Sequence, residues 1–138
     1  MIYIRKKDYD EIVAYAEKGL PNEACGLLGG TVEGDEKRVE KVYCLRNLDE
    51  SNEHFSMDPK EQLEAVKDIR KHGWKLIGNF HSHPESPSRP SEEDKRLAYD
   101  RNIRYLILSL MNPKEPVLNA FIIEGDQVSR EEIRYTEE

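Results

Sequence analysis

Phe80-His81-Ser82-His83-Pro84 is the stretch on which the reading of this chain turns. It closes an apolar run, residues 74–80, that reads as a buried strand, and Pro84 ends whatever sheet that strand belongs to. Alternate residues of a strand point to the same face, so His81 and His83 project side by side while Ser82 turns away. Two imidazoles so placed suit one shared metal ion, at a sheet margin that a substrate can reach. The loop that follows carries Pro87 and Pro90 after Pro84, which makes it stiff. After seven intervening positions it delivers Ser91 and then Asp94 at the start of a helix.

Two histidines and one carboxylate form a three-ligand set whose fourth tetrahedral position stays open for water, the arrangement of catalytic zinc. Zinc lowers the pKa of such a water to about 7. An unligated carboxylate must then take the proton and return it to the leaving amine. Plainer readings exist for each part. Ser91-Glu92-Glu93-Asp94 is itself a capping box, so Ser91 and Asp94 can simply start a helix, although a first-turn position can also aim a carboxylate outward. An H-x-H on a strand is common without any metal. Two histidines and a carboxylate also make the facial triad of iron oxygenases, but those sites usually sit in all-strand barrels, and helices are strongly signalled here. A zinc deaminase expects H-x-E and P-C-x-x-C, and neither occurs in this chain.

Working outward, residues 2–4 read as a short strand and 7–18 as a helix. There Tyr9, Ile12, Val13, Tyr15 and Ala16 recur at helical spacing, and Gly19 and Pro21 stop the element. Residues 24–30 form an apolar strand with a hairpin partner at 38–45 across Glu33-Gly34-Asp35. The second helix has Asp58 as N-cap, Pro59 at its first position and Glu61 completing a capping box. Leu63, Val66, Ile69 and Arg70 set its inward stripe, and Gly73 closes it after His72. A short third helix is expected over 91–101, then strands over 105–110, 117–123 and 128–135, the last two joined at Gly125-Asp126. The order is that of an α/β chain with helices on a mixed sheet, one domain over residues 1–138. His54 is assigned a surface or hydrogen-bonding role, His72 a place at a helix dipole, and Trp74 a packing role. Glu85 is the spare carboxylate nearest the histidines in sequence.

Lys and Arg number 21 against 28 Asp and Glu, a net charge of −7, and this balance argues against a nucleic acid partner. Mean hydropathy is −0.82, and no apolar run approaches the about 20 residues needed to span a bilayer. The first residues, Met1 to Lys7, lack the apolar core and small-residue cleavage site of a secretory signal, so the cytoplasm is the expected address. Cys25 and Cys44 lack C-x-x-C pairing and read as small apolar strand residues. A cross-strand disulfide between them is the alternative, disfavoured in a reducing compartment.

His81-Ser82-His83-Pro84, with Ser91 and Asp94 after the intervening loop, resembles the JAMM (MPN+) metallopeptidase signature. Glu23, in Pro21-Asn22-Glu23-Ala24-Cys25-Gly26-Leu27-Leu28-Gly29, is similar to that family's catalytic glutamate and its strand. Asn47, Ser51 and Phe55-Ser56-Met57-Asp58-Pro59 are similar to the segment before the second helix of small prokaryotic members, so the resemblance covers nearly the whole chain. It implies a cytidine deaminase-like α/β fold, a curved mixed β-sheet flanked by helices. It also implies one Zn2+ on His81, His83 and Asp94, with Glu23 activating the water and Ser91 donating its hydroxyl to the oxyanion. The implied activity is hydrolysis of a peptide or isopeptide bond after the C-terminal tail of a ubiquitin-like protein. The chain is too short for the insertions of eukaryotic deubiquitinating members, and it looks more like the small members that act on ubiquitin-like sulfur carriers. A metal-bound module that binds a ubiquitin-like protein without cleaving it is the alternative.

Overall fold

A computed structural model describes residues 1–137. Along them run β1 (Ile2–Arg5), α1 (Lys6–Gly19), β2 (Cys25–Glu33), β3 (Glu36–Leu45), α2 (Pro59–Lys71), β4 (Lys75–His83), α3 (Glu92–Arg96), β5 (Arg104–Ser109), β6 (Val117–Glu124), β7 (Gln127–Glu131) and β8 (Ile133–Thr136). The strands form one mixed sheet in the order β7-β6-β5-β4-β2-β3-β1-β8. β4 lies at its centre, antiparallel to β2 and parallel to β5.

The sheet buries both faces because strand alternation divides its apolar residues between two helices. Leu28, Phe80, Leu106 and Leu108 face α1, whose Ile12 and Ala16, one turn apart, complete that core. Cys25, Leu27, Tyr43 and Leu45 face the other way, onto Ala65 and Ile69 of α2. The Tyr15 hydroxyl donates to the Leu45 carbonyl at 2.6 Å and holds α1 against β3. Gly26 lets the central strands come together. A Cβ there would lie 2.2 Å from both the Phe80 ring and the Tyr43 carbonyl oxygen, so any larger residue would displace Phe80 from the core.

Several elements depart from the sequence expectations for identifiable reasons. Asp58 does cap α2, accepting from the Lys60 amide at 2.9 Å. Glu61, however, does not close a capping box: it reaches back to accept from the Arg46 amide at 2.8 Å, and the Asp58 amide donates to the Arg46 carbonyl at 3.1 Å. The start of α2 is thereby tied to the end of β3. Ala65 and Ile69 form the buried stripe of α2, and Leu63 is 54% exposed. β4 runs three residues beyond Phe80 in register with β5, through His81 and on to His83, while Trp74 stays outside and stacks on His72 at 4.2 Å. α3 stops at Arg96 because Asp100 turns the chain: its amide meets the Tyr105 hydroxyl at 3.1 Å and its carboxylate accepts from the Asn102 amide at 2.8 Å. Cys25 pairs with Leu45, and Cys44 with Gly26, so the thiols face opposite sides of the sheet and cannot join. Burial pushes both thiols up to about 12.

The expected final strand is two strands. β7 pairs antiparallel with β6, β8 pairs parallel with β1, and only Glu132 separates them in the chain. The two edges of the sheet are therefore brought together by a strong curl, and the Glu132 carbonyl accepts from the Ile2 amide at 2.9 Å across the gap. Glu131 clasps the seam. Its buried carboxylate accepts from the Met1 ammonium at 2.5 Å, from Lys37 of β3 at 2.9 Å and from Arg104 of β5. Burial pushes its pKa upward, but the hydrogen bonds from these three cations prevail and hold it at about 2.

Glu131→Gln strands Lys37 and Arg104 without their anion, a loss on the order of 3 kcal/mol. Thermal melting should show a drop of roughly 10 °C. The ion cluster's stability is complete above the ordinary carboxyl value of 4.5 and is lost as pH falls toward about 2. Acid titration of the variant should accordingly lack that segment of the wild-type stability curve.

Candidate metal centre

β4 sets His81 and His83 on the face of the sheet that α2 covers, since Cys25 pairs with His81 and belongs to the α2 core. The β2–β4 register continues past Cys25. The Ser82 amide donates to the Ala24 carbonyl at 2.9 Å, and the Ser82 hydroxyl accepts from the Ala24 amide at 2.8 Å. Glu23, the residue before Ala24, leaves the ladder, its amide donating to the Ser51 carbonyl at 2.7 Å, and its carboxyl lies near enough to His83 and Asp94 to feel their charge. Ser82 thus turns away from the histidines, as alternation requires, and its hydroxyl clamps Ala24, the residue between Glu23 and the start of β2.

The loop from Pro84 to Pro90 is held by more than its prolines. The Ser109 hydroxyl donates to the Ser86 carbonyl at 2.7 Å, and the Ser88 hydroxyl donates to the Ile107 carbonyl at 2.6 Å. The Asn119 amide group in turn donates to Ser88 Oγ at 3.1 Å. So anchored, the loop starts α3 beside β4. The capping box forms in full: Asp94 N donates to Ser91 Oγ, and Ser91 N donates to Asp94 Oδ2, both at 3.0 Å. That same Oδ2 lies 3.2 Å from His81 Nε2 and 3.1 Å from His83 Nε2. One carboxylate oxygen of Asp94 thus both completes the cap and faces the two imidazoles.

The two Nε2 atoms are 3.1 Å apart, so three donor atoms close a triangle with sides of 3.1–3.2 Å. A tetrahedron drawn around an ion at about 2.0 Å from each ligand has edges of about 3.3 Å. The protonation pattern points the same way. His83 Nδ1 lies 2.9 Å from the Pro87 carbonyl, which only accepts, so Nδ1 carries the hydrogen and Nε2 presents its lone pair. A bare nitrogen and a carboxylate oxygen 3.1 Å apart repel unless a cation or proton stands between them. The donor set fits a divalent metal, and His81, His83 and Asp94 form such a metal-capable cluster.

Electrostatics follow from burial and proximity. Burial drives His81 toward the neutral imidazole, outweighing the pull of Asp94. Burial opposes charge on His83 too, but hydrogen bonds to Asp94 and to the Pro87 carbonyl prevail and raise its pKa. Burial likewise opposes the Asp94 carboxylate, yet the two imidazoles hold it well below the usual range. Glu23 is 6% exposed. Burial pushes its carboxyl up to about 8, with His83 lowering it and Asp94, Glu93 and Glu53 raising it.

A segment from β3 to α2 borders the site. Asn47 organises it, donating to the carbonyls of Glu23 and His54 at 3.0 Å and accepting from the Asp49 and Ser56 amides at 3.0 and 2.9 Å. Phe55 stacks on the His81 ring at 4.6 Å, and His54 Nδ1 pairs with Glu93 of α3 at 2.7 Å. Behind Glu23 a cavity of about 660 Å³ opens between Tyr15, Lys18 and Asn22 on one side and Arg46, Asn47 and Leu48 on the other. The structure brings His81, His83 and Asp94 into contact, sets Glu23 across from them, and leaves Glu85 exposed to solvent. Sequence reasoning passed over the clamp made by Ser82, and for Phe55 it reached the segment but not the stack on His81. The signals were the small polar residue between two histidines and a lone aromatic in a polar segment.

A curled mixed sheet bearing this centre at the end of its middle strand defines a JAB/MPN-type domain. The chain belongs to the family described as prokaryotic homologs of the JAB domain, which matches residues 5–123. It is similar to the CysO-cysteine peptidase of Mycobacterium tuberculosis, 28% identical over 100% of this chain and 93% of the relative. It is also 32% identical to the desampylase of Haloferax volcanii, over 72% of this chain and 74% of the relative. A solution structure of a Desulfitobacterium hafniense protein superimposes with a TM-score of 0.92 at 59% identity, covering 100% of this chain and 94% of that one.

Ser82→Ala removes the acceptor of the buried Ala24 amide, which costs about 1–3 kcal/mol. Denaturant titration should show that loss, and metal stoichiometry should stay unchanged because no donor atom is touched.

Proposed function

We propose that the chain is a zinc-dependent metallopeptidase that hydrolyses a peptide or isopeptide bond after the C-terminal tail of a ubiquitin-like or sulfur-carrier protein. The observation that carries this reading is the triangle of His81 Nε2, His83 Nε2 and Asp94 Oδ2 with a buried Glu23 close by, just before β2. Membership of the JAB family and the names of the mycobacterial and haloarchaeal relatives support the substrate class.

His81, His83 and Asp94 hold one zinc ion, which when bound supplies a water acidified to about 7 and polarises the scissile carbonyl. Glu23 takes the water's proton and carries it to the departing amine, so it acts first as base and then as acid. The Ser91 hydroxyl accepts from the Asp94 amide, which leaves its own hydrogen free to donate to the carbonyl oxygen as that oxygen gains charge. A donor of that kind is worth about 3 kcal/mol. Asn47 holds the Glu23 carbonyl, and Ser82 holds the amide that follows it, so the base cannot drift from the site. The proposed setting is the cytoplasm, where Cys25 and Cys44, facing opposite sides of the sheet, remain thiols.

Purified Glu23→Gln should retain one zinc per chain by elemental analysis and lose hydrolysis of a carrier–cysteine adduct followed by mass spectrometry. Full turnover by this variant would remove Glu23 from the role of base.

In the wild-type enzyme the base must be ionised, so kcat/KM should rise with pH through the Glu23 pKa. Burial, with the nearby Asp94, Glu93 and Glu53 carboxylates and against the pull of His83, sets that pKa high, at about 8, and a neighbouring cation favours the carboxylate and moves the rising limb below that value. A pH–rate profile on zinc-loaded protein checks this. A rate that falls as pH increases through the neutral range would contradict it.

A further inference from the structure

Two fully covered side-chain atoms have no hydrogen-bond partner among the described residues: Oδ1 of Asn79 and Nδ1 of His81. They are neighbours. Asn79, His81 and His83 are alternate residues of β4 and share one face of the sheet. Asn79 and His81 both line a cavity of about 50 Å³, whose other walls include Phe55, Leu97, Tyr105 and Ile107. A water needs roughly 10–15 Å³ of such space and at least two polar partners.

The two orphan atoms are chemically complementary. His81 turns Nε2 toward His83 and Asp94, so a ligating lone pair on Nε2 puts the ring hydrogen on Nδ1 and makes that atom a donor. Asn79 Oδ1 is an acceptor. A water between them accepts from one and donates to the other. The other hydroxyl on the wall, that of Tyr105, is already committed, donating to the Asp100 carbonyl at 2.9 Å and accepting from the Asp100 amide at 3.1 Å. His83 solves the same problem directly, through Nδ1 and the Pro87 carbonyl at 2.9 Å. No protein group does so for His81 among the described residues.

We propose that Asn79 is a positioning residue for the metal centre, accepting from His81 Nδ1–H through one water held in this cavity, and so fixing the tautomer and ring plane that present Nε2 to the ion. The inference rests on the proposed metal site. Losing such an outer partner lowers metal affinity by about 10–100-fold. Phe55, stacked on the His81 ring at 4.6 Å, restrains the ring's tilt, while the water fixes its rotation about its own axis.

The test is zinc affinity, measured by chelator competition, for wild type, Asn79→Leu, Asn79→Asp and His81→Ala, with melting of each metal-free protein alongside. Asn79→Leu has nearly the same volume but offers no acceptor. It should bind zinc 10–100-fold more weakly while the metal-free protein melts at or above the wild-type temperature. Asn79→Asp keeps the acceptor and should bind at least as tightly as wild type. Wild-type affinity in Asn79→Leu would overturn the role of Asn79. If His81→Ala also binds like wild type, the metal-site reading itself fails, which separates the two. Should Asn79→Leu not fold, nitrogen NMR of zinc-loaded wild type decides. A slowly exchanging hydrogen on His81 Nδ1 supports the proposal, and a bare or rapidly exchanging Nδ1 overturns it.

Discussion

Everything at this site depends on the pairing of β2 with β4. That register puts Cys25 beside His81 and is carried on by the Ser82 amide to the Ala24 carbonyl, which leaves the adjoining Glu23 within electrostatic reach of His83 and Asp94. A one-residue slip would turn Cys25 away from the histidines' face and shift the chain that leads to Glu23. Three local features hold the pairing at this end: the Ser82 backbone bond to Ala24, the Ser82 hydroxyl on the Ala24 amide, and the close approach that only Gly26 permits. None of these groups touches the donor atoms of His81, His83 or Asp94. Their effect is to bring a carboxylate and a metal-binding pair from distant parts of the sequence onto one face.

Asp94 reaches the same face by a different route. Its position is set by a capping box at the start of a five-residue helix, and that helix by a proline-rich loop pinned to β5 and β6 through Ser86, Ser88 and Asn119. A helix of this length has little stability of its own. The contact of His54 Nδ1 with the Glu93 carboxylate at 2.7 Å and the imidazoles facing Asp94 supply what it lacks. At the far side of the molecule the Glu131 cluster joins the two edges of the curled sheet, drawing on β3, β5 and β7 at once. The site and the clasp thus sit at opposite ends of the central strands, one governing chemistry and the other closure.

Much of this was legible in the sequence because it rests on short-range patterns. The alternation of His81 and His83, the S-x-x-D at Ser91, the N-cap at Asp58 and the stop at Gly73 all act over a few residues. The failures share a cause. Glu61 satisfied a capping-box template but found a better partner in Arg46, a residue made available only by the fold. Residues 128–135 alternate well enough for one strand, yet the sheet's curl breaks the run at Glu132 and assigns its halves to opposite edges. Leu63 fitted a helical stripe, but α2 meets the sheet through Ala65 and Ile69, whose smaller and branched side chains suit its close approach to β2 and β3. Glu23 carried no local signal at all. Only the family likeness singled it out, since its meaning lies in a register that no spacing rule contains.

The central claim is a metal held by two Nε2 atoms and one carboxylate oxygen. Anomalous diffraction at the zinc absorption edge, on crystals of zinc-loaded protein, tests it most directly. The account predicts one peak per chain about 2.0–2.2 Å from His81 Nε2, His83 Nε2 and an Asp94 carboxylate oxygen, with Glu23 outside bonding distance. A peak elsewhere, or one ligated by Glu23 in place of Asp94, would contradict it.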